Sequence, residues 1–195
     1  MQALEHRGQE QERSTPQSLS DCVACKDGIA LIPYGEANGS RTLADDTLMD
    51  LYDEMVSDGV IGRVFDKEIP TAESFITFAK DPRHLLVFAV VDGTLLGFGW
   101  LSEIKRNSAQ ANFAAVSGCW GKRSVEMGER ILTYWFALLG DDGPIFDVLL
   151  GLTPSRNKLA VRFIQKLGCV IVGEIPYLDR GKKMTISYIE RNDHG

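Results

Sequence analysis

The sequence predicts an α/β fold built on one mixed, mostly antiparallel sheet of about seven strands flanked by four helices. Three observations predict it. Asp92-Gly93 joins two β-rich runs, His84 to Val91 and Thr94 to Leu101, and Asp-Gly is a strong two-residue hairpin signal. Between about 44 and 80, apolar residues recur at helical spacing and mark two helices before that hairpin. Near the end, the runs Phe146 to Leu152 and Cys169 to Ile175 flank a short helical pattern. Such a strand–helix–strand unit implies a crossover and a partly parallel or splayed sheet.

Each element follows from local signals. Gly28 to Tyr34 reads as a strand stopped by Pro33-Tyr34-Gly35. Leu48, Leu51, Tyr52 and Met55 mark one face of a helix from about Ala44 to Ser57, which Asp58 to Gly62 breaks. Thr71 is placed to cap a second helix carrying Phe75, Phe78 and Ala79. After the hairpin, the polar turn Lys105 to Ser108 leads into a strand from Ala111 to Ser117. A long amphipathic helix from about Ser124 to Leu139 buries Met127, Ile131, Tyr134, Trp135 and Leu138, and Gly140 to Pro144 stops it. Ser155 stands where an N-cap belongs, Leu159, Phe163, Ile164 and Leu167 form the next apolar stripe, and Gly168 fits a left-handed C-cap. A final strand, Met184 to Ile189, follows the Arg180-Gly181-Lys182 turn.

Composition bounds the function. The 195 residues, 44% hydrophobic and 25% charged, suit a single domain with one sizeable core, from about 28 to 195. Residues 1–27 begin with a Gln/Glu/Arg/Ser-rich stretch and read as a disordered tail without the apolar region of a secretory signal. No apolar run reaches the roughly 20 residues that span a bilayer, so no membrane partner is expected. A net charge of −6 argues against non-specific nucleic-acid binding, and Arg180, Lys182 and Lys183 read as a solvated turn. Cys22 and Cys25 lack the further ligands of a zinc site, so no metal is expected; Cys119 and Cys169 read as reduced core thiols. A cytoplasmic protein fits best.

The order of elements, with Asn157-x-x-Ala160, Lys166-Leu167-Gly168 and the strand ending Gly173-Glu174-Ile175-Pro176, resembles the GNAT superfamily of acyl-CoA N-acyltransferases from about Gly28 to Arg191. The texture is similar to the ribosomal-protein acetyltransferase branch and to prophage-type acetyltransferase-like proteins. The resemblance implies a GNAT-like twisted, splayed sheet, acetyl-CoA or another acyl-CoA as cofactor, and direct transfer of its acyl group to a small-molecule or peptide amine. Sheet edges in this family often pair, which makes a homodimer an expectation.

The resemblance places the pyrophosphate loop at Trp120-Gly121-Lys122-Arg123-Ser124-Val125, before the long helix. A helix N-terminus suits an anion because its first amides are unpaired and its dipole is positive there. The family pattern is Gln/Arg-x-x-Gly-x-Gly/Ala; here Trp120, Arg123 and Val125 depart from it. Asn157 either caps its own helix or bonds the pantetheine amides, and Ala160 is small enough for the cofactor to lie against it. Phe163 and Leu167 read as core.

Catalysis needs a base for the acceptor ammonium and an acid for the leaving thiolate. The family's usual Tyr acid falls at Ile164, and Ala109 to Cys119 contains no Asp, Glu or His. Glu103, at a strand end, is the nearest carboxylate and the candidate base, with Asn112 and Ser117 as polar groups that position substrate or water and Tyr177 beside the acceptor. His84 sits at a strand start and has no assigned role. Gly97 and Gly99, alternating with Phe98 and Trp100, mark either a bulge or close packing. The alternative function is a catalytically degenerate GNAT-fold protein acting as a CoA-binding or protein-interaction module.

Overall fold

The computed structural model describes residues 23–26, 28–37, 39–65, 68–176 and 183–191. Tyr177, Arg180, Lys182, Cys22 and the Cys25 side chain lie outside the described residues. The strands of the main sheet are β1 (Val23–Lys26), β2 (Ile29–Pro33), β3 (Leu85–Val91), β4 (Thr94–Lys105), β5 (Ser108–Ala115), β6 (Val148–Pro154), β7 (Val170–Pro176) and β8 (Lys183–Glu190). The helices are α1 (Asp45–Ser57), α2 (Ile61–Val64), α3 (Ala72–Ala79), α4 (Lys122–Phe136) and α5 (Lys158–Lys166).

Among the described residues the mostly antiparallel sheet expected from the sequence is present with one short strand added, eight in the order β1-β2-β3-β4-β5-β6-β8-β7. The additional strand, β1, falls inside the stretch expected to be a tail. Lys26 pairs with Ile29 and Val23 with Leu31. Asp27-Gly28 is itself an Asp-Gly signal, and Gly28 takes the left-handed φ of 78° that such a turn requires. Among the described residues the sheet begins at Val23.

All ladder neighbours are antiparallel except β5 and β6. That parallel pair holds over only three positions, Ser108–Val148, Ala109–Leu149 and Gln110–Leu150. Beyond Gln110 the two strands diverge, which splits the sheet. Parallel neighbours need a crossover, and α4 provides it.

Side-chain alternation distributes two layers of helix over the sheet. Phe98 and Trp100 face α3 and the α2 end: Phe98 lies 5.5 Å from Phe75, and Trp100 stacks on Phe65 at 5.2 Å between ring centroids. Gly97 and Gly99 face α4. A Cβ at Gly97 would meet the Ala114 carbonyl oxygen at 2.7 Å, and one at Gly99 would meet the Trp135 ring at 2.7 Å. The glycines thus mark close packing, while the register breaks of β4 fall beside them, between Ala89 and Val90 on β3 and between Ser102 and Lys105.

Local chemistry sets the helix ends. α1 buries Leu48, Leu51, Tyr52 and Met55. In α3 the Thr71 hydroxyl accepts from the Ser74 amide while the Ser74 hydroxyl accepts from the Thr71 amide. α4 starts two residues before Ser124 because Gly121, with φ 86°, turns the chain into it. It stops at Phe136, and Leu139–Gly140 instead pairs with Gly143–Pro144. The cap of α5 is Asn157, not Ser155: its Oδ1 accepts from the Ala160 amide at 3.2 Å. Ser155 ends β6, and its amide donates to Lys183 O in β8. β5 begins at Ser108 rather than Ala111 because Arg106, at φ 46°, makes a tight turn that pairs Lys105 with Ser108.

Candidate functional site

The split between β5 and β6 joins three hollows into one passage through the sheet. On the α4/α5 face lies a cleft of about 430 Å³, lined by Phe113 and Ala115 of β5, the loop before α4, and one side of α5. A space of about 120 Å³ lies in the split itself, between Ala111–Phe113 and Leu149–Pro154. On the opposite face is an open groove of about 1320 Å³, walled by α2, α3, β4 and the start of α5. Arg63 and Val64 line all three, and Trp100, Asn112, Leu152 and Pro154 line both the split and the groove.

Among the residues assigned to the cofactor, Trp120, Gly121, Ser124, Val125, Asn157 and Ala160 line the cleft; Lys122 and Arg123 do not. Lys122 points into solvent and pairs with Glu126 at 3.1 Å, one helical turn on. Trp120 is half exposed, its indole N–H donating to Ala115 O at 3.0 Å. The Ser124 hydroxyl donates to Gly121 O at 2.8 Å, which closes the first turn of α4. Because Asn157 Oδ1 is spent on the cap, its Nδ2 donors are the part left for a ligand. Leu159, part of the apolar stripe, is 68% exposed and lines the cleft together with Phe163, which reads from sequence as core and is half-buried. Leu167 is in the core.

Charge distinguishes this cleft. Its lining holds three cations, Arg63, Arg162 and Lys166, and no carboxylate, in a chain of net charge −6. Such a lining attracts an anion.

Glu103 lies at the groove, on the far side of the sheet. It sits in the irregularity at the end of β4 with φ 48°, and its carboxylate is largely exposed, 3.8 Å from the Lys105 ammonium. Ser117 lines none of the three hollows. It opens a turn of 3₁₀ helix, and its amide donates to the Asp58 carboxylate at 2.5 Å. Asn112 stands at the split: its amide nitrogen is 3.2 Å from Ser102 Oγ, and its oxygen accepts from Gln110 Nε2 at 3.1 Å. Ile164 is buried and lines the split. Cys169 lines it too, and burial pushes its thiol up to about 11, so it stays protonated at neutral pH and is no nucleophile.

Sequence reasoning missed His84. Its ring packs 4.5 Å from Phe78, and both line the groove with Trp100 and Glu103. Nδ1 lies 3.1 Å from Phe78 O. A carbonyl oxygen only accepts, so Nδ1 carries the proton and Nε2 holds the free lone pair of the neutral ring. The only signal in the sequence was a histidine beginning a strand whose hairpin partner carries Glu103. Around it, Asp81 and Arg83 form an ion pair at 2.5 Å, which holds the Asp81 carboxyl well below the usual carboxylate range. No cluster among the described residues has the makings of a metal site.

The architecture is shared with known enzymes. The spermidine N-acetyltransferase SpeG from Vibrio cholerae, solved with CoA and spermine, matches at 16% identity with a TM-score of 0.63, over 87% of this chain and 99% of that one. The fold is that of the GNAT acyltransferases. The microcin C7 self-immunity acetyltransferase MccE, solved with acetyl-CoA and AMP, matches at 12% identity with a TM-score of 0.65, over 85% and 93% of the two chains. SpeG also occurs as a dodecamer. No family model matches the sequence, and no curated protein is found similar to it.

Proposed function

We propose that this GNAT-fold chain is an N-acyltransferase that moves an acetyl group from acetyl-CoA to a primary amine by direct attack. The observation that carries the reading is the passage through the split sheet, with a carboxylate-free cationic cleft on one face and an acid- and imidazole-bearing groove on the other. The residues fit the cofactor. Gly121, Ser124 and Val125 line the cleft where the start of α4 would meet its phosphates, Asn157 has Nδ2 donors that the cap does not use, and Ala160 leaves room for a narrow arm. Arg123 and Val125, bulkier than the family's glycines, leave the start of α4 helical. Acetyl-CoA supplies the acyl group already activated as a thioester.

The chain's own groups do the rest. Glu103 draws the acceptor's ammonium to the groove mouth. His84 Nε2 takes a proton from the ammonium and frees the nitrogen lone pair; after attack, the nitrogen's second proton goes to the departing CoA thiolate, which leaves as the free thiol. Phe65, Phe78 and Trp100 wall the groove on the helical side, and Asn112, locked by Ser102 and Gln110, orients what lies at the split. Beyond Gln110 the β5 backbone on the split side has no β6 partner, so its amides are available to polarise a carbonyl. With neither cysteine paired to a base, no acyl-enzyme is required.

The acceptor is a small-molecule or peptide amine. Described residues of the groove include four carboxylates and five Arg or Lys side chains, a balance suited to an acceptor with an anionic group beside its amine rather than to a bare polyamine. The free thiols of Cys119 and Cys169 support a cytoplasmic location, and among the described residues no helix is long and apolar enough to cross a membrane. The exposed Val170, Ile171, Val172 and Ile175 on the edge strand β7 support a homodimer. Thiol release from acetyl-CoA in the presence of amino-acid amides, lysine peptides and spermidine, with mass spectrometry of the products, tests the reading. Ile164 at the usual acid position favours the second reading, a CoA-binding module without transfer; CoA binding with no acetylated product from any amine would select it.

A further inference from the structure

The loop before α4 has Trp120 where the family carries Gln or Arg, and its own cations, Lys122 and Arg123, do not line the cleft. A guanidinium from elsewhere in the chain reaches this loop. Arg63, on α2, places its Cζ 6.0 Å from the centroid of the Trp120 ring. It lines the cleft, and among the described residues no carboxylate pairs with it.

α2 is held in that place. Just upstream, the Asp58 carboxylate accepts the Ser117 amide at 2.5 Å, and Val60 N–H donates to Met55 O at 2.8 Å to finish the turn out of α1. The α1–α2 connection is thus fastened to the β5–α4 loop by Asp58 at one end and by Arg63 over Trp120 at the other. Asp58, spent on Ser117, is not in the cleft lining and does not offset the guanidinium there.

We infer that Arg63 is a cofactor-binding residue that supplies from α2, across the face of Trp120, the guanidinium for a CoA phosphate that the loop itself no longer carries. This rests on the acetyl-CoA reading above. A guanidinium presents a planar fork of donors that matches two phosphate oxygens, and a flat aromatic beneath it fixes the plane of the fork. The same side chain borders the acceptor groove, so the phosphate contact and the groove's α2 wall depend on one short element.

The test is calorimetry of the full chain with CoA and with acetyl-pantetheine, which lacks the phosphates, on wild type, Arg63→Ala and Arg63→Lys. Thermal melts accompany each variant; Arg63 is exposed, so all three are expected to fold. Arg63→Ala should weaken CoA about tenfold to a hundredfold, the range for hydrogen bonds to charged groups, and leave acetyl-pantetheine unchanged. Arg63→Lys should recover part of the loss as a point charge, and added salt should shrink the difference. Equal CoA affinity in wild type and Arg63→Ala overturns the inference and leaves the cofactor reading standing. Equal losses for both ligands also overturn it, because they show Arg63 shaping the cleft rather than touching phosphate. Absence of CoA binding by the wild type overturns the cofactor reading and the inference together.

Discussion

Asn157 has one observed job, capping α5, and one proposed job, donating to the cofactor, and substitution separates them. Its oxygen accepts the Ala160 amide, which leaves the Nδ2 donors of this cleft-lining residue unused by the cap. Removing a cap of this kind costs about 1 kcal/mol. In a chain of this length that lowers the melting temperature by roughly 2–4 °C. Losing one neutral hydrogen bond to the cofactor costs about 0.5–1.5 kcal/mol, or roughly two- to twelvefold in Kd. Asn157→Ala should therefore show both effects. Asn157→Asp keeps a capping oxygen, and aspartate caps about as well as asparagine, so stability should hold. It also deletes the donor and sets a carboxylate in a cleft that has none, so CoA affinity should fall by more than in the alanine variant. Thermal melts and calorimetry with CoA on the two variants give four numbers. An aspartate variant that melts like wild type and binds CoA like wild type would refute the cleft assignment; an alanine variant with an unchanged melting temperature would refute the cap.

The remaining predictions concern packing, the groove and the buried thiol. Gly97→Ala should lower the melting temperature by about 2–12 °C, since its Cβ would press on the Ala114 carbonyl and the Met127 sulfur; Gly173→Ala, with nothing within 4 Å, should not lower it. His84→Gln should cut kcat about 10²–10⁴-fold, whereas Glu103→Gln should raise KM and spare kcat; the reverse pattern would return the base to Glu103. The folded state keeps the Cys169 proton to about 11, while an unfolded thiol loses it near ~8.5. The folded state thus binds more protons in that window, so stability present below it is lost as pH rises through it. Cys119, also pushed up by burial, adds in the same direction. Urea unfolding of Cys169→Ala should show a shallower alkaline decline than wild type.

Elements announced by their own residues were legible in the sequence. Asp92-Gly93, the α1 stripe and the Thr71 cap act over a few residues, and each stands where its local chemistry puts it. Asp27-Gly28 carried the same hairpin signal, but the polar composition around it masked a strand whose other half is β2. Ser155 and Asn157 are both good caps two residues apart. Which one caps was decided by β8, whose Lys183 carbonyl takes the Ser155 amide just past the end of β6. The loop before α4 and Asn157 could be placed from the sequence because a strand end and a helix start bring their own free amides and caps, and both line the cleft. Phe163, read as core, also lines the cleft, because periodicity reports a stripe without saying whether core or a cleft receives it.

Arg63 and His84 were not legible, and for one physical reason. α2 spans four residues, Ile61–Val64, too short for any period to show, and His84 precedes its strand by one residue. Each gains its chemistry only from what folding sets beside it: Trp120, fifty-seven positions on from Arg63, and the Phe78 carbonyl that fixes the imidazole tautomer. A family pattern written on one loop reports where that loop's own residues bind. It is blind to a charge brought from another element. In this chain the Gln/Arg position is a tryptophan and the usual acid is a buried isoleucine, so a motif search sees a degenerate site. The folded arrangement instead puts a guanidinium over that tryptophan and an imidazole with a free Nε2 in the groove. The departures from the pattern are therefore arguments about which residues act, before they are arguments that none do.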